Sequence, residues 1–302
     1  MKLNSMSAAK LEQIVGEAVL VAETGQLPQY IPSLAAANPR SLAVQVLTLT
    51  GESYSVGDME LSFSLMSISK SFVLLYLLSI LGKEAVFARV GMEPSLENFN
   101  SLAQLEADGG WPRNPMINSG AIALASLLPG DTPFSRCQNF CDWLNSYGNC
   151  QFFLDRQMLA SVEALPNEIN LAIASTLCST GHLQEDGAVA LDTYNHVCCL
   201  TGNMLDLARL GMLLLQSPIL PEYASIVKAV MLTCGLYQAS GRFAVEVGVC
   251  TKSGVSGGVL SVIPGEGAIA CYSPPLDSEG NSVAGLFIIK QLAQQFNLSI
   301  FS

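Results

Sequence analysis

Strand signals at both ends of the chain, with helical signals between them, limit the possible folds more than any other feature. Near the start, 42–49 and 53–56 have the alternation and β-branched content of a hairpin. Near the end, glycine-rich turns separate three further predicted strands at 243–249, 258–263 and 268–272. Strands from both ends pair most simply in one antiparallel sheet, with helices on its faces and a helical lobe inserted between.

Helical patterns fill most of the remaining sequence. They predict helices over 8–24, over 67–81 with Gly82 as its stop, and over 286–296. The stretch 91–115 is rich in Pro, Gly and Asn and predicts a long ordered loop, whereas 118–215 is mainly helical, with breaks at Pro129-Gly130, Pro166-Asn167 and Gly181. We therefore expect one α/β (α+β) domain over 1–302, made of an α/β lobe (about 1–82 and 220–302) and a mainly helical lobe (about 83–219).

Composition and charge exclude several classes of partner. Hydrophobic residues make up 50% of the chain and charged residues 13%, so a large core is expected and extensive disorder is not. The 14 basic and 25 acidic residues give a net charge of −11, which repels phosphate backbones and anionic membrane surfaces. The longest apolar run, 72–81, is shorter than the roughly 20 residues that span a bilayer. We expect no nucleic-acid or membrane partner.

The nine cysteines predict reduced thiols rather than disulfides or a metal site. Their odd number, their apolar neighbours and an N-terminus that looks like an amphipathic helix rather than a signal peptide favour the cytoplasm. Cys137 and Cys141 have a spacing that could supply two ligands of a metal site, but the two histidines, His182 and His196, do not have the spacing of a second ligand pair. We expect no metal and no organic cofactor.

The clearest chemical signal is Ser67 followed three residues later by Lys70, at the start of an apolar helix. This spacing puts both side chains on one helix face, with Ser67 near the helix N-terminus, where developing negative charge is stabilised. Burial and the helix dipole lower the pKa of Lys70, so that its neutral amine can take the serine proton. A solvent-facing helix start is the alternative interpretation.

A second motif, Lys252-Ser253-Gly254, lies far downstream, between two predicted strands. Penicillin-recognising serine enzymes combine Ser-x-x-Lys with a Lys-Thr/Ser-Gly motif on an edge strand, and the pair of motifs resembles theirs. An edge-strand charge that prevents aggregation is the alternative role for Lys252.

Many further segments resemble the serine-dependent glutaminases, which share the β-lactamase-like fold and hydrolyse L-glutamine to L-glutamate and ammonia. The matching segments run in the same order from about residue 25 to 285. They are Tyr30-Ile-Pro-x-Leu-Ala35, 63–70, Val90-Gly-Met-Glu-Pro-Ser95, Phe99-Asn-Ser101, 114–122, Glu163 with 170–173, Tyr194-x-x-x-Cys198, Cys234-Gly-Leu-Tyr237 with Ser240-Gly241, 252–258, 272–277 and 280–283.

The resemblance implies roles for individual residues. It makes Ser67 the nucleophile and Lys70 its base, with Tyr194 and Tyr237 as proton relays to the leaving ammonia. Its substrate contacts fall on Tyr30, Ser67, Asn118, Glu163, Asn170, Tyr194, Tyr237 and Val255.

The chemistry of these contacts suits free glutamine. Glu163 pairs the α-ammonium group, Asn118 and Asn170 donate to the α-carboxylate, and the N–H groups of Ser67 and Val255 form an oxyanion hole. Helix capping for Asn118 and a solvated surface position for Glu163 are the alternatives.

Several positions differ from the usual pattern of the resembled family. Met66 replaces a Gln before the nucleophile, Ser119 replaces an Ala after Asn118, and Val162 and Ile169 replace a Ser and an Arg beside Glu163 and Asn170. Cys250-Thr251 stands where Pro-Ala is usual. No replacement removes a proposed catalytic group, and those near Glu163 bear on substrate affinity.

The resemblance predicts a β-lactamase/transpeptidase-like fold, a Ser67 acyl-enzyme and a homodimer or homotetramer. A penicillin-binding or β-lactamase-type serine hydrolase and a non-catalytic binding protein of the same fold are the alternatives.

Overall fold

The computed structural model describes residues 2–165, 167–183, 185–216 and 219–302, so the predicted turn residue Pro166 lies outside the described part. Its main sheet has five antiparallel strands in the order β2-β1-β8-β7-β6, and a small sheet has the order β3-β5-β4. The strands are β1 (Ala43–Thr48), β2 (Ser53–Gly57), β3 (Phe63–Ser64), β4 (Phe153–Leu154), β5 (Leu200–Gly202), β6 (Cys250–Ser253), β7 (Gly258–Ile263) and β8 (Gly267–Tyr272).

Helices cover both faces of the main sheet and form the inserted region. They are α1 (Ala8–Ala22), α2 (Pro32–Ala35), α3 (Ser69–Leu81), α4 (Lys83–Phe87), α5 (Leu102–Ala107), α6 (Asn118–Ala125), α7 (Pro133–Gly148), α8 (Arg156–Glu163), α9 (Glu168–Ser179), α10 (Gly187–Cys198), α11 (Met204–Leu213), α12 (Pro221–Cys234), α13 (Ser240–Glu246) and α14 (Val283–Gln295). This mixed architecture confirms the predicted fold class.

The central strands are buried on both faces because alternate side chains enter two different cores. In β8, Ile269 and Cys271 pack in the core under α1 and α14. Ala270, between them, packs in the core shared with α3, α7, α11 and α12. A third core, which includes Ile122, Leu177 and Leu191, joins α6, α9 and α10. The sheet therefore separates a supporting layer of helices from the layer that carries Ser67.

The predicted strand at 243–249 is wrong, because α13 occupies most of this segment. Phe243 and Val247 are buried, whereas Val245 is 88% exposed. Residues four apart lie on the same face of a helix and also on the same face of a strand. In a strand, however, Val245 would lie on that buried face as well, so its exposure shows that the segment is helical. The third terminal strand is β6, so Lys252 and Ser253 lie on the edge strand and not between two strands.

Other boundaries differ in smaller ways. The predicted loop 91–115 contains the short helix α5, and the helix predicted from Ser67 begins as a 3-10 turn over Met66–Ile68 before α3. The division at residues 83 and 219 stays a prediction, although α11 packs against β1, β7 and β8 and thus against the sheet. No helix in the described ranges has the length and apolar character needed to cross a membrane.

Candidate active site

Ser67 lies in a tight turn at the entrance to α3 and is almost completely buried. Met66, just before it, has φ of 46°, a left-handed conformation that is strained for a side chain without local polar groups. Tyr237 has φ of 57°, and in the described ranges the other non-glycine residues with positive φ are two asparagines, which tolerate this region. Both strained, non-asparagine positions thus flank the nucleophile.

Lys70, one helical turn after Ser67, is 2% exposed and has no carboxylate partner among the residues described. Its Nζ donates to the side-chain Oδ1 of Asn118 at 2.7 Å and to the backbone oxygen of Met116 at 3.2 Å. Burial lowers the pKa of Lys70 to about 8, because the charged form loses its hydration. The neutral fraction of the amine near neutral pH is therefore far larger than that of an ordinary exposed lysine, although the ammonium form still predominates below about pH 8.

Asn118 connects three of the predicted site residues. Its Oδ1 accepts hydrogen bonds from Lys70 and from the Tyr194 hydroxyl (3.2 Å), and its Nδ2 donates to Oδ1 of Asn170 (2.9 Å). Asn118 is the first residue of α6, and its side chain makes no capping bond. The helix-capping alternative is therefore wrong for this side chain, which instead orients the amine of Lys70.

Tyr237 lies beside Ser67 and in front of the second buried lysine, Lys252. Burial raises the pKa of Tyr237 to about 12, an effect opposed by the hydroxyls of Ser67 and Ser253. The Nζ of Lys252 is 4.4 Å from the centroid of the Tyr237 ring and donates to the backbone oxygens of Gly235 and Ser253. Because Lys252 is fully buried, it is not a solvent-facing gatekeeper charge.

The turn after β6 approaches the Ser67 loop closely. A Cβ atom on Gly254 would lie 2.6 Å from the backbone oxygen of Leu65, so only glycine fits at this point. The next residue, Val255, lines the same cleft as Ser67. The close approach therefore holds the turn that carries Val255 against the loop that carries Ser67, and the oxyanion-hole role of the Val255 N–H stays a prediction.

A cleft of about 650 Å³ opens above Ser67. Tyr30 and Glu163 lie at its exposed rim, whereas Asn118, Asn170 and Tyr194 are buried deeper along its wall. Lys70 lies beneath this wall and Tyr237 lies beside Ser67. The structure thus gathers all the sequence-predicted residues around one cavity, and their individual roles stay predictions.

Phe99 and Cys198 are two of the cleft-lining residues for which no role was predicted from the sequence. The Phe99 ring packs 4.7 Å from that of Tyr237, and its backbone oxygen accepts from the N–H of Asn118 at 2.8 Å. Phe99 thus links the two sides of the site. Burial raises the pKa of the Cys198 thiol, which Lys70 and Tyr194 oppose, so the thiol is held in its inert form. Both residues fall in segments of the glutaminase resemblance, and that was their only signal.

Among the described residues, one group has donor atoms close enough to hold a metal ion: Glu163, Asp192 and His196, whose ligand atoms lie within 4.8 Å of one another. Nδ1 of His196 already pairs with a carboxylate oxygen of Asp192 at 3.0 Å. All nine cysteines are free thiols outside this group. That the protein needs no metal stays a prediction.

Comparison with known proteins agrees with this geometry. The sequence profile of the family described as Glutaminase matches residues 25–301. A glutaminase from Synechocystis sp. is 46% identical over 97% of this chain and 93% of its own length. A probable glutaminase from Bacillus subtilis in complex with 6-diazo-5-oxo-L-norleucine has a TM-score of 0.89 and 30% identity, covering 98% of this chain and 97% of its own.

A second solved structure is the covalent complex of a Bacillus subtilis glutaminase with 5-oxo-L-norleucine, formed by reaction with 6-diazo-5-oxo-L-norleucine. It has a TM-score of 0.88 and 31% identity, covering 97% of this chain and 99% of its own. The sequence resemblance is therefore confirmed over nearly the whole length. With its Ser67–Lys70 pair buried below the cleft, the chain belongs to the glutaminase family of amidohydrolases.

Proposed function

We propose that the chain hydrolyses L-glutamine to L-glutamate and ammonia through an acyl ester on Ser67, with Lys70 as base. The environment of Lys70 carries this proposal. A neutral amine has two N–H groups and one lone pair, and the N–H groups are taken by Asn118 and Met116. The remaining lone pair is free to take the proton of Ser67, one helical turn away.

In the first step, Oγ of Ser67 attacks the side-chain carbonyl carbon while its proton passes to Lys70. The N–H groups of Ser67 and Val255 stabilise the oxyanion. The C–N bond then breaks as Tyr237 or Tyr194 delivers its proton to the nitrogen, and ammonia leaves. The tyrosine takes back a proton from the protonated Lys70, which returns the amine to its neutral form for the second step. Water hydrolyses the γ-glutamyl ester and regenerates Ser67.

The substrate's α-amino acid end fits the other half of the cleft. Glu163, at the rim, supplies the carboxylate that pairs the α-ammonium group, and Tyr30 lies on the same rim. Asn118 and Asn170 bind the α-carboxylate. Asn170 accepts from Asn118 through Oδ1, so its own amide N–H groups remain to donate. A neutral donor pair of this kind binds a carboxylate without adding a buried charge.

An active-site label tests the proposal. The Bacillus subtilis relative reacts covalently with 6-diazo-5-oxo-L-norleucine, which has the α-amino acid end of glutamine. We expect wild type to release ammonia from L-glutamine and to carry the label on the peptide that contains Ser67, as measured by mass spectrometry. Ser67→Ala should do neither.

Two results would contradict the proposal. Rapid turnover of a chromogenic cephalosporin without turnover of glutamine would indicate a penicillin-recognising hydrolase. Binding of glutamine without any ammonia release would indicate a non-catalytic binding protein.

We also propose that the chain acts in the cytoplasm as a homodimer or homotetramer. The nine free cysteines support the cytoplasmic location. The resemblance to the glutaminases supports the assembly. Light scattering coupled to size-exclusion chromatography tests the assembly: a mass of two or four chains supports it, and a mass of one chain contradicts it.

A further inference from the structure

Ser69, which lies between the proposed nucleophile and its base, has a buried hydroxyl to which the proposed reaction assigns no role. Ser69 is 1% exposed, and its Oγ donates to the backbone oxygen of Met66 at 2.7 Å. The backbone N–H of Ser69 donates to the same oxygen. Ser69 therefore supplies two hydrogen bonds to this carbonyl, one for each of the lone pairs of its oxygen.

The carbonyl of Met66 belongs to the same peptide group as the N–H of Ser67. A peptide group is planar and trans, so its C=O and its N–H point in opposite directions and turn together. A contact that fixes the carbonyl of Met66 therefore also fixes the direction of the Ser67 N–H. In the described part of the chain this N–H makes no hydrogen bond of its own, so it remains available to an oxyanion.

The strained backbone of Met66 bears on the same peptide group. Its φ of 46° lies in the left-handed region, which is unfavourable for a methionine. The preceding residue, Leu65, is anchored, because its N–H donates to the backbone oxygen of Leu200 at 2.8 Å. The dihedral angles of Met66 set how the next peptide group is turned relative to this anchor. A relaxed Met66 would therefore redirect the N–H of Ser67.

We propose that Ser69 is a positioning residue whose hydroxyl holds the Met66–Ser67 peptide group so that the Ser67 N–H points at the oxyanion. The inference rests on the proposed function, in which this N–H stabilises the oxyanion. Ser69 is not one of the residues that line the cleft. Its single hydroxyl proton is donated to Met66, and no bond at Ser69 forms or breaks during the reaction.

The test compares Ser69→Ala with a matched serine in the same helix. The hydroxyl of Ser79, near the other end of α3, also donates to a carbonyl three residues earlier, that of Tyr76, at 2.6 Å. Ser69→Ala removes one of the two bonds to Met66 and keeps the other, so the loss should be partial. We expect kcat/KM for L-glutamine to fall about tenfold, through lower kcat with KM changed less than about twofold. Ser79→Ala should match wild type.

An infrared measurement separates positioning from general damage. The 6-diazo-5-oxo-L-norleucine label expected on Ser67 keeps a ketone carbonyl, and a ¹³C atom at that carbon distinguishes its stretching band from the bands of the protein. A hydrogen bond from the Ser67 N–H lowers the stretching frequency. We therefore expect a higher frequency in labelled Ser69→Ala than in labelled wild type, and no change in labelled Ser79→Ala.

An unchanged carbonyl frequency in labelled Ser69→Ala would overturn the inference, whether or not kcat falls, because the N–H would then keep its direction without the hydroxyl. Wild type that releases no ammonia from glutamine and takes no label would instead overturn the proposed function, and this inference with it.

Discussion

The ionisation state of Lys70 is set by its surroundings and differs from that of an ordinary lysine. The side chain is buried, it bonds only to neutral oxygens, and its pKa falls to about 8. Since the base is the neutral amine, kcat/KM for glutamine should rise with pH up to a plateau above about 8, with a loss approaching tenfold per pH unit well below it. Initial rates at limiting glutamine over a series of pH values measure this ascending limb of the pH–rate profile.

Arginine provides the control for this pH dependence. Lys70→Arg keeps the positive charge but cannot deprotonate in a protein, so it should be inactive at every pH while remaining folded by circular dichroism. A wild-type profile that is flat from about pH 6 to pH 9 would exclude Lys70 as the titrating base.

A substitution at Asn118 offers a second way to change the pKa of Lys70. A carboxylate in place of its amide would lie against Nζ of Lys70, at the position now occupied by Oδ1 at 2.7 Å. An adjacent negative charge favours the ammonium form, so Asn118→Asp should raise the pKa of Lys70 by about 1–3 units and move the ascending limb to higher pH.

Asn167→Asp is the matched control, because Asn167 also lines the cleft but caps α9 and does not contact Lys70. It should leave the limb in place, since Asp is as good an N-cap as Asn. An unmoved limb in Asn118→Asp would mean that Lys70 does not govern the profile.

The sequence could predict which residues form the site better than how they contact one another. Ser67 and Lys70 are close in the chain, so helix geometry fixed their relation. The bond from Lys70 to Asn118 joins positions 48 residues apart, and its side-chain partner depends on how α6 packs against α3. The Ser253–Asn281 bond likewise spans 28 residues and could not be read from either motif.

At the scale of elements, we expect the contact between the β6–β7 turn and the Ser67 loop to set the width of the proposed oxyanion site. Gly254→Ala places a Cβ 2.6 Å from the Leu65 backbone oxygen, so the two segments must separate and carry Val255 away from Ser67. We expect kcat/KM to fall roughly tenfold or more, and the free energy of unfolding by about 1–3 kcal/mol.

Gly241→Ala provides the comparison for Gly254→Ala. Gly241 lies inside α13, and a Cβ there meets no atom within 4 Å. This substitution should keep full activity and stabilise the fold by up to about 1 kcal/mol, because alanine favours the helix. Wild-type activity in Gly254→Ala would show that the close approach is not needed for catalysis.

The type of an element was predictable where the apolar residues followed only one spacing, helical or extended. The prediction failed where the spacing suited both a helix and a strand. The apolar run after Lys70 predicted α3, and Gly82, with φ of 81°, ends it as expected. Within 243–247 the buried residues Phe243 and Val247 are four apart, a spacing shared by helices and strands, and β-branched valines favoured the wrong choice. Tertiary packing against the α14 side of the sheet decided between them.

At the scale of the whole molecule, the sheet divides residues that stabilise the fold from residues that form the site. Leu11 in α1 is fully buried, in a core that contains none of the proposed catalytic or binding residues. Leu11→Ala should therefore lower the free energy of unfolding by about 2–5 kcal/mol, from lost burial and the cavity left behind. The kcat and KM for glutamine should stay unchanged at temperatures where the variant is folded.

Leu20, in the same helix, is 69% exposed and provides the matched control, with an expected change within about 0.5 kcal/mol. Urea unfolding followed by fluorescence measures both variants, and glutamine turnover is assayed on the same samples. A folded Leu11→Ala with lowered kcat would mean that the supporting layer reaches Ser67 through the sheet. Unchanged kcat with a lower urea midpoint would instead locate catalysis wholly on the side of the sheet that carries α3.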